Sequence, residues 1–309
     1  MKNIIIILFV VLGVCNGSSL AQLRVHNVLP SITDPAIDTY TSPGDEHYIY
    51  VNDSVPPLNK LFVFFPGTLG RGKNPKLIVP FAAAVGYHAI ALTYPSDVAL
   101  AQVCRNNDDK DCFDKGRQEI CFGDDVSADW NVNKANSIEN RLLKLLIYLA
   151  DKYPGDNWRQ FITGNKEINW EKTCLSGQSQ GGGHAAYIAQ KKKVGRVIMF
   201  ASPKDYSLVF NEPATFLHHA MATPINRFFG FVHTDDDKNG CTWAEQKEIF
   251  TLMGLDKLGQ WENVDQSIPP YNHSRTLTST KAQGFPHGSV IGDIEYRIVW
   301  KYMMLEEVK

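Results

Sequence analysis

Gly177-Gln178-Ser179-Gln180-Gly181 sets one serine between two glycines at the G-x-S-x-G spacing. Residues 173–176 before it predict a short strand. Ala185, Ala186, Ile188 and Ala189 after it predict a helix with one apolar face. A strand, a tight turn and a helix form the context in which this motif carries an activated serine. The turn closes only if its flanking residues lack bulk. The hydroxyl then clears the sheet edge, and the helix N-terminus faces the negative charge that develops on an attacked carbonyl.

A serine hydroxyl becomes a good nucleophile when a base takes its proton. On a strand–turn–helix scaffold of this kind the order along the chain is serine, acid, histidine. Of the histidines well downstream, His218 and His219 fall in a helical stretch and His233 ends a strand. His287, in Gly284-Phe285-Pro286-His287-Gly288, is expected on a loop after the last strand and before a closing helix over 296–304. The acid is expected in Thr234-Asp235-Asp236-Asp237, directly after a strand over 228–233. Asp236 is preferred, Asp237 is second and Asp235 third. Asp205, in Pro203-Lys204-Asp205, is the outside candidate. The oxyanion needs two backbone N–H donors. Gln180 supplies one by its position after the serine, and Thr68, after Pro66-Gly67, is expected to supply the other.

The elements that would position these groups alternate along the chain. Residues 61–65 and 88–94 read as buried strands, as do 194–201 and 228–233, and 78–85 reads as a helix between the first two. Asn136 is expected to cap a helix with Glu139 as capping-box partner, and Ile138, Leu142, Leu145, Leu146 and Leu149 give it one apolar stripe. This alternation implies a mostly parallel sheet with helices on both faces, with the ligand site beyond the carboxyl ends of the strands. Segments 97–132 and 206–224 interrupt it and are expected to overhang the site.

The N-terminus reads as a secretory signal, with Lys2 followed by an apolar run from Ile4 to Val14 and a cut before Gln22. Residues 22–309 are then expected to form one exported domain, extracellular or periplasmic and monomeric, with no membrane span. A formal net charge of −2 with both signs interspersed gives no support for nucleic-acid or membrane docking. Of the six cysteines the signal removes Cys15, and five would leave one thiol over. Cys104 and Cys112 flank a wholly polar stretch and are expected to form a disulfide, with Cys121 as the competing partner. Cys174 is expected to be buried. No C-x-x-C pair suggests a metal site. A phosphate-loop reading of Gly67 to Asn74 fails on Asn74, which stands where magnesium needs Ser or Thr, and on Pro75.

The stretch Gly177 to His184 resembles the G-H-S-Q-G-G-G-H elbow of a mostly secreted, uncharacterised group of α/β-hydrolases. The likeness extends to Phe65-Pro66-Gly67-Thr68, to Gly86-Tyr87-His88 leading to Tyr94-Pro95, and to Cys104 with Cys112. It continues through Ser137 to Leu142 and Phe231-Val232-His233-Thr234. Gln178 replaces the histidine usual before the nucleophile. The resemblance implies an α/β-hydrolase fold and a serine hydrolase without cofactor, and it implies no particular substrate. The expected activity is cleavage of a small or polymeric ester. Acyl transfer on the same triad and an inactive binding protein on the same scaffold are the alternatives.

Overall fold

The apolar run Leu61–Phe65 forms a strand with every residue buried, as a strand covered on both faces must be. It lies at the centre of the sheet in the computed structural model, which describes residues 23–37, 45–237 and 240–308. The expected signal peptide and its cut before Gln22 lie outside the described residues.

The strands are β1 (Leu23–Val28), β2 (His47–Asn52), β3 (Leu61–Phe65), β4 (His88–Ala91), β5 (Thr173–Gln178), β6 (Arg196–Phe200), β7 (Tyr206–Ser207), β8 (Glu212–Pro213), β9 (Phe228–His233), β10 (Glu262–Asn263) and β11 (Thr276–Ser279). Among the described residues nine of them form one sheet in the order β1-β2-β4-β3-β5-β6-β9-β11-β10, while β7 and β8 pair as a small separate hairpin. β2 runs antiparallel to both its neighbours, and the remaining neighbours in the sheet are parallel. The reversed β2, the exchange of β3 and β4, and the serine turn after β5 are the topology of the α/β-hydrolase fold, as the sequence led us to expect.

The helices are α1 (Pro30–Thr33), α2 (Ile78–Ala84), α3 (Leu100–Cys104), α4 (Cys112–Phe122), α5 (Ile138–Lys152), α6 (Gln180–Lys191), α7 (Trp243–Leu252), α8 (Pro286–Gly292) and α9 (Arg297–Leu305). Alternation along the strands divides the core into two layers. Leu61, Val63 and Phe65 pack with the apolar faces of α4, α5 and α6. Phe62 and Phe64 point the other way, into α2 and α9. Helices thus cover both faces, and the serine turn emerges at the carboxyl edge between them.

Three expectations shift. The long helix α5 is capped by Ser137, whose hydroxyl accepts from Asn140 N at 3.3 Å. Residues 134–136 first wind one 3-10 turn, which moves the start past Asn136. Glu139 therefore lies in the first turn without closing a capping box, and pairs with Lys192 at 3.1 Å. β4 stops at Ala91 and does not reach Tyr94, because Thr93 leaves the ladder: its N–H donates to His47 Nδ1 and its hydroxyl to Glu46 O. His287 is in the first turn of α8, not on a loop, with Pro286 opening that helix.

Candidate active site

Ser179 sits at φ 57°, ψ −125°, a strained conformation for a residue with a side chain. Its N–H donates to Phe200 O at 2.9 Å, which fixes the turn to the end of β6. The glycines either side are required by space. A Cβ on Gly177 would stand 2.4 Å from the Gly181 carbonyl carbon, and one on Gly181 would stand 2.0 Å from Phe65 O. The backbone of β3, the turn and α6 are therefore packed against each other with no room for a methyl group.

Gln180 opens α6, so its N–H has no acceptor within the helix. Its side-chain oxygen accepts from the Thr68 hydroxyl at 3.2 Å and from Leu100 N at 3.0 Å. One amide thereby ties the loop after β3 to the start of α3. Thr68 and Gln180, the two expected oxyanion donors, border one cavity of about 590 Å3 with Ser179 and His287. Leu100, Phe113, Phe285 and Ile291 give that cavity much of its apolar wall.

The structure separates the four candidate acids. Asp236 is buried, and its Oδ2 lies 2.7 Å from His287 Nδ1. Asp237 is exposed and accepts from Trp243 N at the start of α7. Asp235 is exposed, with its backbone N–H on His233 Nδ1. Asp205 is fully buried and receives Arg117 Nε and Nη2, each at 2.8 Å. That bidentate pair accounts for Asp205 and takes it away from His287.

Several contacts lie outside the sequence expectations. Gln178 Nε2 donates to His287 O at 3.0 Å, so the residue that departs from the usual elbow histidine holds the backbone of the candidate base. Lys204 and Arg117 also border the cavity, and Lys204 Nζ is 3.0 Å from Asp236 Oδ2. The available signal was a Lys-Asp dipeptide directly after a buried strand, where charges are rare unless paired. His184, on α6, is fully buried. Burial first and the charge of Arg117 second hold its pKa well below 6.5.

Cys104 and Cys112 form a disulfide with Cα atoms 5.4 Å apart, while Cys121, Cys174 and Cys241 are buried free thiols, three where the count had suggested one. Burial pushes the Cys174 thiol up to about 12. Of the segments expected to overhang the site, 97–132 does so through residues 99–102, Phe113 and Arg117. No residue of 206–224 borders the cavity. That segment instead braces the disulfide loop, with Leu208 N on Arg105 O and Glu212 on Lys110. The phosphate-loop reading fails in the structure too, since α2 opens only at Ile78 and Asn74 Oδ1 accepts from Arg71 N. Among the described residues no His, Cys, Asp and Glu cluster could hold a metal, and no helix is long and apolar enough to cross a membrane.

No family model and no curated protein matches the chain in sequence. Solved structures that resemble it include an α/β-hydrolase enzyme from a Medee basin deep-sea metagenome library, at 15% identity and TM-score 0.43, covering 92% of this chain and 91% of that one. A Thermus thermophilus protein matches at 11% identity and TM-score 0.45, covering 93% and 99%. Pyrococcus horikoshii acylaminoacyl peptidase matches at 13% identity and TM-score 0.44, covering 92% of this chain and 41% of its own length. These are likenesses of shape, and the fold assignment rests on the strand order and the serine turn.

Proposed function

We propose that the protein is an exported serine hydrolase that cleaves carboxylic esters. Ser179 Oγ attacks the ester carbonyl, His287 takes its proton, and Asp236 holds the imidazole tautomer and stabilises the imidazolium. The N–H groups of Gln180 and Thr68 receive the oxyanion. Collapse of the tetrahedral intermediate expels the alcohol, which leaves with the proton from His287, and an acyl group remains on Ser179. Water, deprotonated by His287, then releases the acid and restores the serine. The observation that carries this reading is the buried 2.7 Å contact between His287 and Asp236 beside a cavity that Ser179 also borders. The apolar wall of Leu100, Phe113, Phe285 and Ile291 favours an uncharged hydrocarbon group on the substrate. The disulfide supports export, since such bonds persist in oxidising compartments.

The test is turnover of aryl esters of graded acyl length by the wild type and by Ser179→Ala. The wild type is expected to hydrolyse them with a maximum at one chain length. The folded variant is expected to fall to the background rate. Equal turnover by the two proteins would overturn the reading.

A further inference from the structure

β6 ends at Phe200, and Ala201-Ser202-Pro203 leads into two adjacent buried charges, Lys204 and Asp205. Burying either alone would cost a large share of a whole domain's margin of stability. Each is paired, and with a different side of the site. Lys204 Nζ lies 3.0 Å from Asp236 Oδ2, 3.4 Å from Asp236 O and 3.2 Å from Cys241 O. An ammonium has three N–H donors, and here three acceptors surround it. Asp205 grips Arg117, and Arg117 Nη1 donates to Gln180 O at 2.8 Å in the first turn of α6. Arg117 reaches there only because residue 183 is glycine: a Cβ on Gly183 would stand 2.0 Å from Arg117 Nη2.

We propose that Lys204 is a positioning residue for the triad, a role that rests on the serine-hydrolase reading above. The carboxylate torsion of an aspartate is broad and two-fold. Lys204 and His287 share Oδ2 of Asp236, so the lysine fixes the rotamer that presents this oxygen to Nδ1. The contacts to Asp236 O and Cys241 O hold the backbone at those two residues. Through its neighbour Asp205 and through Arg117, the dipeptide also fixes the turn that carries Ser179. One short connection after β6 thereby sets the spacing between nucleophile and acid. Lys204 borders the cavity, but its donors are directed at protein oxygens, which gives it a role toward Asp236 and not toward substrate.

The experiment compares Lys204→Met, Lys204→Gln, Asp236→Asn and the double variant Lys204→Met/Asp236→Asn on one aryl ester, with urea unfolding of each. Replacing a buried ion-pair partner by an apolar side chain of similar length tests folding and function separately, and Lys204→Gln, which keeps donors, serves if Lys204→Met does not fold. For each single Lys204 variant the expected result is a loss of kcat of about 10- to 100-fold with KM within about two-fold. In the Asp236→Asn background the lysine change should cost less than about two-fold more, because the residue it positions is already lost. Unchanged kcat, a rise in KM alone, or a full additional loss in the double variant would overturn the proposal. Wild-type turnover by Ser179→Ala would instead overturn the serine reading, so the two failures are distinct.

Discussion

The serine turn at 177–183 and the segment that follows β9 face one cavity and are held by different forces. The turn is fixed by backbone contact: Ser179 N on Phe200 O, and glycines whose absent Cβ atoms leave room for β3 and α6. The acid segment is fixed by side chains from far along the chain, His287 and Lys204 both converging on Asp236. A site ruled by backbone sterics announces itself in local sequence. A site ruled by distant pairing does not, and three consecutive aspartates become distinct only when their partners arrive.

The sharpest way to break this contrast is to neutralise the aspartates in turn. Asp236→Asn is expected to lower kcat by about 10³- to 10⁴-fold, since an amide cannot hold the tautomer or stabilise the imidazolium. Asp235→Asn and Asp237→Asn, both exposed, are expected to stay within about two-fold. Steady-state rates on one ester decide it, and equal losses at all three positions would remove the distinction.

A smaller effect is expected where the wall of the cavity is tethered. Replacing Cys104 and Cys112 by serine together should cost about 2–3 kcal/mol of stability by the chain-entropy argument. Leu100 and Gln102 border the cavity just before the bridge, so KM should rise more than kcat falls. Urea unfolding and steady-state kinetics with and without reductant measure both, and unchanged KM in the reduced protein would separate the bridge from the site.

The smallest effect concerns pH and two buried histidines, His184 on α6 and His47 on β2. Burial, then Arg117, holds His184 well below 6.5, and burial, then Arg141, does the same for His47. Both are neutral when folded, whereas the unfolded chain takes up protons near 6.5. Their contribution is complete above that pH and is lost as pH falls toward the folded values, by up to about 1.4 kcal/mol per pH unit for each. Unfolding free energies at pH 7.5 and 5.5 should show the decline, and His184→Gln, which leaves His47 in place, should about halve it. An equal slope in that variant would take His184 out of the account.

Sequence and structure agree best where geometry is local. The G-x-S-x-G turn, the buried runs of β3 and β9, and the stripe of α5 follow from steric and periodic rules that act over a few residues. The Cys104–Cys112 bridge was legible because a short polar loop has little else to order it. The sequence offered no physical ground for ranking the three aspartates; in the structure Asp236 Oδ2 lies 2.7 Å from His287 Nδ1. What stayed hidden depends on long-range pairing: Arg117 from the insertion with Asp205, Lys204 with Asp236, Gln178 with the backbone of His287. β1 and β2 were also missed. They form an antiparallel edge whose half-buried pattern, intermediate and buried by turns in β2, gives a weaker signal than the wholly buried central strands.

If Ser179 is the nucleophile and Asp236 and His287 activate it, the serine must react selectively with an electrophile that needs that activation. A fluorophosphonate, which phosphonylates activated serines with loss of fluoride, is the probe, with the adduct located by peptide mass spectrometry and its rate followed in Asp236→Asn. One adduct per chain is expected, on the peptide that contains Ser179, formed at least about 100-fold more slowly in the variant. An adduct on another serine, or the same rate in wild type and Asp236→Asn, would contradict it.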